Sequence, residues 1–288
     1  MTAATTVSTT GSGRESWAGL PRRRPLRRVP AVLAMRTPIS ARARLVLTIA
    51  SVAVPVLAWV ALSATGLVDP RFLPPPAKVW AAGSEMAASG QLFTDAWASL
   101  YRVLLGFGLA VAVSVPLGIM MGSFSAVQAG LEPVVGLLRY LPATAFIPLL
   151  IIWLGLGEPP KIVLLFIGTV FFNTLMTADV VRRVPIALID VSYTLGARRG
   201  EVLRKVIVPH SLPGMIDAVR VNAAAAWNFV VVAELLAPES GLGYRIARAQ
   251  RFTQTDKIFA VLVVIGLIGL TIDIALRMTR DRVGRWVG

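Results

Sequence analysis

The chain of 288 residues contains no cysteine and only one histidine, His210. Without cysteine it has no disulfide bond, no thiolate metal site and no cysteine nucleophile, and one histidine cannot supply a histidine-based zinc site. Charged residues are scarce too, at 15% of the chain, against about 25% in an ordinary soluble domain. Because 56% of the residues are apolar, this composition argues against a soluble enzyme.

Motifs that bind nucleotides or support hydrolysis are also absent. No G-x-x-x-x-G-K-S/T phosphate loop occurs, so we do not expect the chain to bind or hydrolyse ATP by itself. Gly106 with Gly108, and Gly241 with Gly243, lack the third glycine of a dinucleotide site. Neither H-E-x-x-H nor G-x-S-x-G is present, so we assign no catalytic residue, no metal and no cofactor to this chain.

Long apolar runs are what the sequence does contain. Residues 45–67 include no charge, and at about 1.5 Å per residue they span roughly 35 Å, enough for the core of a bilayer. This run is too long for a cleaved signal sequence, so we interpret it as a retained first transmembrane helix. Five further segments are candidate spans: 103–122, 131–157, 162–178, 216–236 and 258–276.

Charged residues occur in some of these candidate spans. The third is one span only if Glu132 and Arg139 are admitted, the fifth holds Asp217, Arg220 and Glu234, and the last holds Asp273. A charge at the centre of a helix costs about 2.5–3.5 kcal/mol on insertion scales, and less near the ends. Because the charges lie near the ends of their runs, we predict six transmembrane helices.

The basic residues predict an orientation. Residues 1–44 carry nine arginines against one glutamate, and we interpret them as a basic, mostly disordered tail. The loop 180–214 (net charge +4) and the end 277–288 (+3) fall on the same side, which the positive-inside bias makes cytoplasmic. Segment 68–95 nets −1 on the other side, whereas 238–257 nets +2 and opposes the trend. Both termini are thus expected in the cytoplasm, with the tail near anionic lipid rather than nucleic acid.

The loop 180–214 is the most informative segment. The helical spacing of its apolar residues predicts a short helix after Pro185 and a second one that begins at Arg199 and ends at Pro209. Between them lies a turn at Gly196, which can adopt a positive φ. Two interpretations remain open on composition alone: an elbow that docks to a partner protein, or an interfacial helix that lies on lipid.

Two stretches of this loop resemble the EAA loop of permease subunits in bacterial ABC importers. They read L-I-D-V-S-Y-T-L-G-A over 188–197 and V-I-V-P-H-S-L-P-G over 206–214. Gly196 and its spacing to Pro209 match the family's pattern, whereas Asp190 replaces the usual Glu and Ser192 replaces an Ala. Further segments are similar to the nitrate, sulfonate, taurine and bicarbonate branch of type I importer permeases: 73–76, 99–107, 138–142, 147–149, 153–158 and 240–244.

This resemblance, which covers about residues 70–277, implies the type I ABC importer permease fold, an all-α polytopic membrane protein with a cytoplasmic coupling helix. Together with the charges and apolar runs outside the resemblance, we expect a tail (1–44), a first transmembrane helix (45–67), an extracytoplasmic linker (68–92), a permease core (93–277) and a C-terminal tail (278–288).

The resemblance also implies a heteromeric pump in the cell membrane. A homodimer of permeases would form the pathway for a small anion, two ABC ATPase subunits would dock beneath it, and an extracytoplasmic binding protein would deliver the substrate. Hydrolysis of ATP–Mg would belong to the separate ATPase chain, and this chain would not be an enzyme. Coupling to the ATPase is assigned to Asp190, Ser192, Leu195, Gly196, Ala197, Glu201 and Arg204.

Polar residues within membrane spans are candidates for lining the pathway, because such groups face a bundle interior or a wet cavity. Arg139 is favoured for contact with an anion because it lies beside Pro142 in the interrupted third span, although it could instead snorkel or pair with Glu132. The other candidates could also merely bond between helices; they are Asn173, Asn222, Trp227, Asn228 and Glu234. A membrane-embedded enzyme and a passive channel are the competing functional classes.

Overall fold

The structure, a computed structural model, describes residues 39–236 and 239–285 and consists of two units. One unit ends at Leu57 and the other begins at Ala58. The predicted basic tail lies outside the described residues except for positions 39–44, and so do the last three positions of the predicted C-terminal tail. Within the described ranges every regular element is a helix.

The first unit contains the start of helix α1 (Ala41–Ala64). The Ser40 hydroxyl accepts a hydrogen bond from the Ala43 N–H at 3.2 Å, which satisfies one of the free donors at the helix start. None of the residues of α1, all of them described, is buried, and its apolar side chains are exposed. A helix that is apolar all round suits a lipid environment.

The second unit is built from long helices joined by shorter ones. Its elements follow one another without a strand in the described residues. In chain order they are α2 (Pro76–Ala88), α3 (Gln91–Ser123), α4 (Ser125–Leu138), a 3₁₀ turn (Ala143–Phe146), α5 (Ile147–Leu154), α6 (Glu158–Arg182), α7 (Ile186–Thr194), α8 (Arg199–Val202), a π-helical turn (Leu203–Ile207), α9 (Val208–Leu236), α10 (Leu242–Arg251) and α11 (Thr255–Val283).

Five helices in the described chain are long and apolar enough to cross a membrane: α1, α3, α6, the continuous stretch Arg199–Leu235, and α11. The pair formed by α4 and Ala143–Leu154, which is bent by 76°, brings the number to six if it is counted as one span. The predicted third span, 131–157, is therefore not a single helix. The chain leaves the helix before Pro142, because proline lacks the N–H that continues a helix and restricts the residue before it.

Helices α3 and α6 run in the same direction and in close contact. Gly106 lies against Leu165, and Gly118 lies against Thr177. A Cβ atom on Gly118 would lie 2.6 Å from the Thr177 Cβ, so only glycine allows the backbones to approach this closely. Since parallel helices need a return crossing between them, the broken pair α4–α5 fits as one span of the six.

Helix α9 runs opposite to α6, and α11 runs opposite to α9. Gly168 of α6 lies against Phe229 of α9, and Asn173 bonds to Asn222 further along. Contacts between α9 and α11 follow the same antiparallel order. The connection 183–207 thus lies at one end of the bundle, which we call the elbow end, and α10 lies at the opposite end.

Pro209 does not end the helix that begins at Arg199, contrary to the sequence-based prediction. The helix widens into a π turn at Leu203–Ile207, where the Val208 N–H bonds to the Leu203 carbonyl instead of one residue later. Pro209, the second residue of α9, follows this turn directly, so the residue without an N–H stands where the hydrogen bonding of the helix has already shifted from its regular register. The helix that begins at Arg199 therefore continues into the fifth span without a break.

Candidate functional site

The connection between α6 and α9 contains a sharp turn at Gly196. This residue follows the end of α7 with φ at +82°, in the left-handed region that favours glycine. The Gly196 N–H donates to the Tyr193 carbonyl (2.9 Å), and the Ala197 N–H donates to the Ser192 carbonyl (3.0 Å). These are the two bonds of a Schellman motif, which closes the C-terminus of a helix. We refer to α7, this turn and α8 (residues 186–202) as the elbow.

One side of the elbow packs onto the helix bundle. Val202 and Ile207 are buried together with Val181 of α6 and Met215 of α9, and Ile189 of α7 packs against them. This small apolar core joins the elbow to two spans at once. Because packed interiors are dense and resist compression, a displacement of the elbow would be passed to both helices.

The elbow also leaves several large apolar residues exposed. Leu195 is 82% exposed and Ile186 is 73% exposed, and Val191 and Tyr193 are exposed as well. Exposed apolar residues that cluster on one segment are typical of a contact with a protein or a membrane. The elbow therefore has apolar residues available for such a contact.

The residues predicted for coupling all lie on the elbow or the turn that follows it. Asp190, Glu201 and Arg204 are exposed, and the half-buried Ser192 donates its hydroxyl proton to the α7 backbone at 2.6 Å. The Glu201 carboxylate accepts the Arg198 N–H at 3.0 Å and thereby caps the start of α8. Leu195, Gly196 and Ala197 form the turn itself.

Two of the predicted pathway residues are hydrogen-bonded to each other in the interior. The Asn222 amide donates to Asn173 Oδ1 at 3.3 Å, and the Asn173 amide donates to the Ser114 hydroxyl at 2.5 Å. All three side chains are buried within the single chain. In this position they connect α3, α6 and α9, which is the interhelical role that the sequence left open.

Trp227 and Asn228 are neighbours on α9 with different surroundings. Trp227 is buried and donates its indole N–H to the Ile265 carbonyl at 3.0 Å, whereas Asn228 is exposed. Both border a groove of about 180 Å³ between α9 and α11, together with Arg220 and Asp273. Of the predicted pathway residues on α9, Asn228 is the one exposed on the surface of the single chain.

Arg139 lies on the exposed surface at the break between α4 and α5. Its guanidinium lies 4.8 Å from the centre of the Tyr140 ring and donates to the Tyr140 hydroxyl at 3.0 Å. Glu132, the partner considered for Arg139, lies with one carboxylate oxygen 3.6 Å from Arg182 Nη1. The structure thus places Arg139 apart from the other predicted pathway residues.

A buried polar stripe runs along α3 at the end opposite the elbow. Asp95, Ser99 and Arg102 are four and three residues apart, so they share one face of the helix, and all three are buried. Together with Glu234 they form hydrogen bonds to the segment 240–243, which follows α9. The bonds to four consecutive residues are Arg102 Nη1 to the Ser240 carbonyl (2.8 Å), Gly241 N–H to Asp95 (3.1 Å), Leu242 N–H to Ser99 (2.9 Å) and Gly243 N–H to Glu234 (2.8 Å).

Arg102 uses all five of its N–H donors in this region. Its Nε and one Nη2 hydrogen bind the two oxygens of Glu158, each at 2.6 Å, in a bidentate pair. The second Nη2 hydrogen donates to the Ser240 hydroxyl at 2.6 Å, and Nη1 donates to Glu234 and to the Ser240 carbonyl. Because Glu158 begins α6 and Glu234 lies near the end of α9, one side chain joins three spans.

Glu234, a predicted pathway residue, is fully buried in this cluster rather than facing a cavity. Besides Arg102 it accepts bonds from the Ser99 hydroxyl (2.8 Å) and the Gly243 N–H (2.8 Å). Gly243 lies in the first turn of α10, so a carboxylate lies at the N-terminus of a helix, where the free N–H groups and the dipole favour negative charge. We call Asp95, Ser99, Arg102, Glu158, Glu234 and the segment 240–243 the clasp.

Gly241 is required by this geometry in two ways. Its φ of +109° lies in the region that side chains rarely adopt. A Cβ atom at this position would also collide with the Glu234 carboxylate and the Arg102 guanidinium. Arg245 of α10 extends the clasp, because it binds Asp95 with Nε at 2.7 Å and Nη2 at 2.5 Å.

Sequence reasoning missed Asp95, Ser99 and Arg102 as a functional group. The predicted second span began at residue 103, directly after Arg102, whereas α3 begins at Gln91 and includes the whole stripe. The available signal was the spacing of three polar residues on one face of an otherwise apolar helix. The segments 99–107, 153–158 and 240–244, which are separate in the sequence, meet in the clasp.

Comparisons with known proteins identify relatives of this chain. Residues 114–285 match the family model described as the binding-protein-dependent transport system inner membrane component. The taurine transport system permease protein TauC of Escherichia coli is 34% identical over 89% of this chain and 94% of its own length. The aliphatic sulfonates transport permease protein SsuC of Bacillus subtilis, described as putative, is 32% identical over 81% of this chain and 85% of its own length.

The fold is similar to that of a solved transporter. A chain of the MetNI methionine ABC transporter, in an inward-facing conformation, matches with a TM-score of 0.62 over 68% of this chain and 98% of that chain. The sequence identity is 19%, so this likeness concerns the fold. It confirms the predicted all-α, type I permease fold.

Proposed function

This chain belongs to the family of inner-membrane components of binding-protein-dependent transport systems, and from that premise we propose that its elbow couples a substrate pathway to a separate ABC ATPase. The observation that carries this proposal is that the elbow exposes the large apolar residues Ile186, Val191 and Leu195 beside the hydrogen-bonded turn at Gly196. The chain has no phosphate loop of its own, so an energy source must be supplied by a partner.

The elbow is suited to transmit movement to the membrane spans. Its buried side packs on α6 and α9, and the helix from Arg199 continues into α9 without a break. Closure of an ATPase pair would move the elbow, and the attached helices would rock between inward-facing and outward-facing states. The permease shifts between these states only as far as its partners bind them differently.

The proposed orientation places the elbow end and both termini in the cytoplasm. The basic residues of segment 180–214 and of the C-terminal residues 277–288 support this orientation through the positive-inside bias. The clasp and α10 would then face the extracytoplasmic side, where a binding protein delivers substrate.

The proposed assembly contains two copies of this chain, two ATPase subunits and one binding protein in the lipid bilayer. The substrate is a small anion of the sulfonate, taurine, nitrate or bicarbonate class. The relatives named as taurine and aliphatic sulfonate transport permeases support this class. Asn228 and Arg139, which are exposed on the single chain, are the candidates for lining a pathway between two copies.

Cysteine labelling tests both the orientation and the contact. The natural chain has no cysteine, so Leu195→Cys on the elbow and Gln250→Cys on α10 each introduce one thiol. In intact cells a membrane-impermeant maleimide should modify Q250C and leave L195C unmodified until the membrane is opened. A photo-crosslinker attached to L195C should capture the ATPase subunit, and the same reagent on Q250C should not.

The reverse labelling pattern would contradict the proposed orientation. Substrate flux through the purified chain alone, without ATPase or nucleotide, would favour a passive channel. Capture of the ATPase from Q250C but not from L195C would refute the elbow as the coupling element.

A further inference from the structure

The clasp joins elements that the elbow also joins, but at the other end of the bundle. At the elbow end, Val181 of α6 and Met215 of α9 share a core with Val115 of α3. At the clasp end, Arg102 of α3 binds Glu158 of α6 and Glu234 of α9. The three helices are therefore tied together at both ends, and α10 is tied to them through the segment 240–243.

Several details indicate that this connection holds one fixed geometry. Arg102 and Glu234 are completely buried, so water does not replace their hydrogen bonds. The guanidinium is a planar fork with five donors, and each donor has an acceptor here. A Cβ on Gly243 would lie 2.7 Å from the Glu234 Cβ, so the segment is seated against α9 without spare space.

We infer that Arg102 is a positioning residue for transport. Its guanidinium fixes the segment 240–243, and with it α10, to the three helices α3, α6 and α9. As a result, movement of the elbow reaches the opposite face of the protein. This inference rests on the proposed coupling function. Its requirement is geometric, because a lysine ammonium carries the same charge but has three donors on a flexible stem and cannot form the bidentate pair with Glu158.

Hydrogen exchange on the full-length chain in nanodiscs tests whether Arg102 fixes the segment. The amides of Gly241, Leu242 and Gly243 donate to clasp side chains and should exchange slowly in the natural protein. In Arg102→Lys their exchange should accelerate on the order of tenfold or more. The matched control is Arg220→Lys, which alters another arginine at a helix interface, paired with Asp273 at 2.6 Å, and should leave these amides unchanged.

ATP hydrolysis by the complex with its ATPase and binding protein tests the consequence for transport. R102K should keep the basal rate and lose the stimulation by loaded binding protein, so that the ratio of stimulated to basal rate falls to about 1. R220K should keep the natural ratio. A merely structural role would lower the amount of inserted protein without changing this ratio in the molecules that insert.

Each outcome decides the inference. Natural exchange in R102K would overturn the fixing of the segment, and faster exchange with natural stimulation would overturn the positioning role. If R102K fails to insert, Ser240→Ala is the second variant, because it removes the hydroxyl that accepts from Arg102 Nη2 at 2.6 Å. It should change amide exchange and stimulation in the same direction, but less. No change in either measurement would overturn the inference.

Absence of stimulation in the natural complex would instead refute the proposed function. The exchange measurement on the chain alone distinguishes the two failures.

Discussion

Arg102 and Glu234, which lie 132 residues apart in the sequence, form an ion pair in which both side chains are buried. One belongs to α3 and the other to α9, and both also bind the segment that follows α9. Removal of Glu234 would leave Arg102 with Glu158 as its remaining carboxylate partner and would leave the Ser99 hydroxyl and the Gly243 N–H without their acceptor. Because buried polar groups that lose a partner are costly, the pair is sensitive to charge removal.

Glu234→Gln is expected to destabilise the protein strongly. The substitution preserves the shape of the side chain but removes one of the two carboxylates that bind Arg102 and places an amide group among buried hydrogen-bond donors, at a cost of about 1–3 kcal/mol in the free energy of unfolding. Thermal unfolding in detergent measures the loss as a lower midpoint. Asp281→Asn is the control, because Asp281 pairs with Arg280 on the surface, where an ion pair contributes little to stability. Equal midpoints for the two variants would contradict the buried pair.

Gly118→Ala and Gly108→Ala are expected to change stability in opposite directions. A Cβ on Gly118 would press into α6, and such overpacking costs about 1–3 kcal/mol. Gly108 lies on the same helix with no atom within 4 Å of the position of a Cβ, so alanine there should stabilise the helix by about 0.5–1 kcal/mol. The two unfolding midpoints, measured side by side, check the packing of α3 on α6. A stabilising G118A would mean that the two helices are further apart than described.

Alanine substitutions of two asparagines on α9 are expected to have different effects, because one residue has a structural role and the other is a candidate for lining the pathway. Asn222→Ala removes a buried interhelical bond and should lower stability by about 0.6–2 kcal/mol while the KM for substrate uptake stays constant. Asn228→Ala changes an exposed residue and should alter the KM with little effect on stability. Uptake kinetics and unfolding midpoints of both variants provide the check. A raised KM in N222A alone would place the pathway inside a single chain.

The sequence was sufficient to locate the apolar stretches of five crossings. Hydropathy found the central parts of α1, α3, α6, α9 and α11, because a helix that crosses a bilayer needs about 20 predominantly apolar residues. The positive φ of Gly196 could also be predicted, since the turn between two amphipathic helices needs a residue without a side chain.

Other features depended on contacts that no local pattern records. Pro209 was predicted to end a helix because it has no N–H to donate, but the π turn before it lets the helix continue. Glu234 was predicted as a pathway residue because it is charged within a span, yet its partners lie on α3 and in the segment 240–243. Arg102 was overlooked because it lies directly before the uncharged run that begins at residue 103. Its hydrogen-bond acceptors come together only when α3 packs on α6 and α9.

The central claim is that the elbow receives force from a separate ATPase, and ATP hydrolysis by the assembled complex tests it most directly. Gly196→Leu forces a side chain into a φ of +82° within the elbow, whereas Gly90→Leu imposes the same kind of strain, at a φ of +72°, at the start of α3. Both variants should insert into the membrane. The account predicts that binding-protein-stimulated hydrolysis is abolished in G196L and retained in G90L; full stimulation in G196L would contradict it.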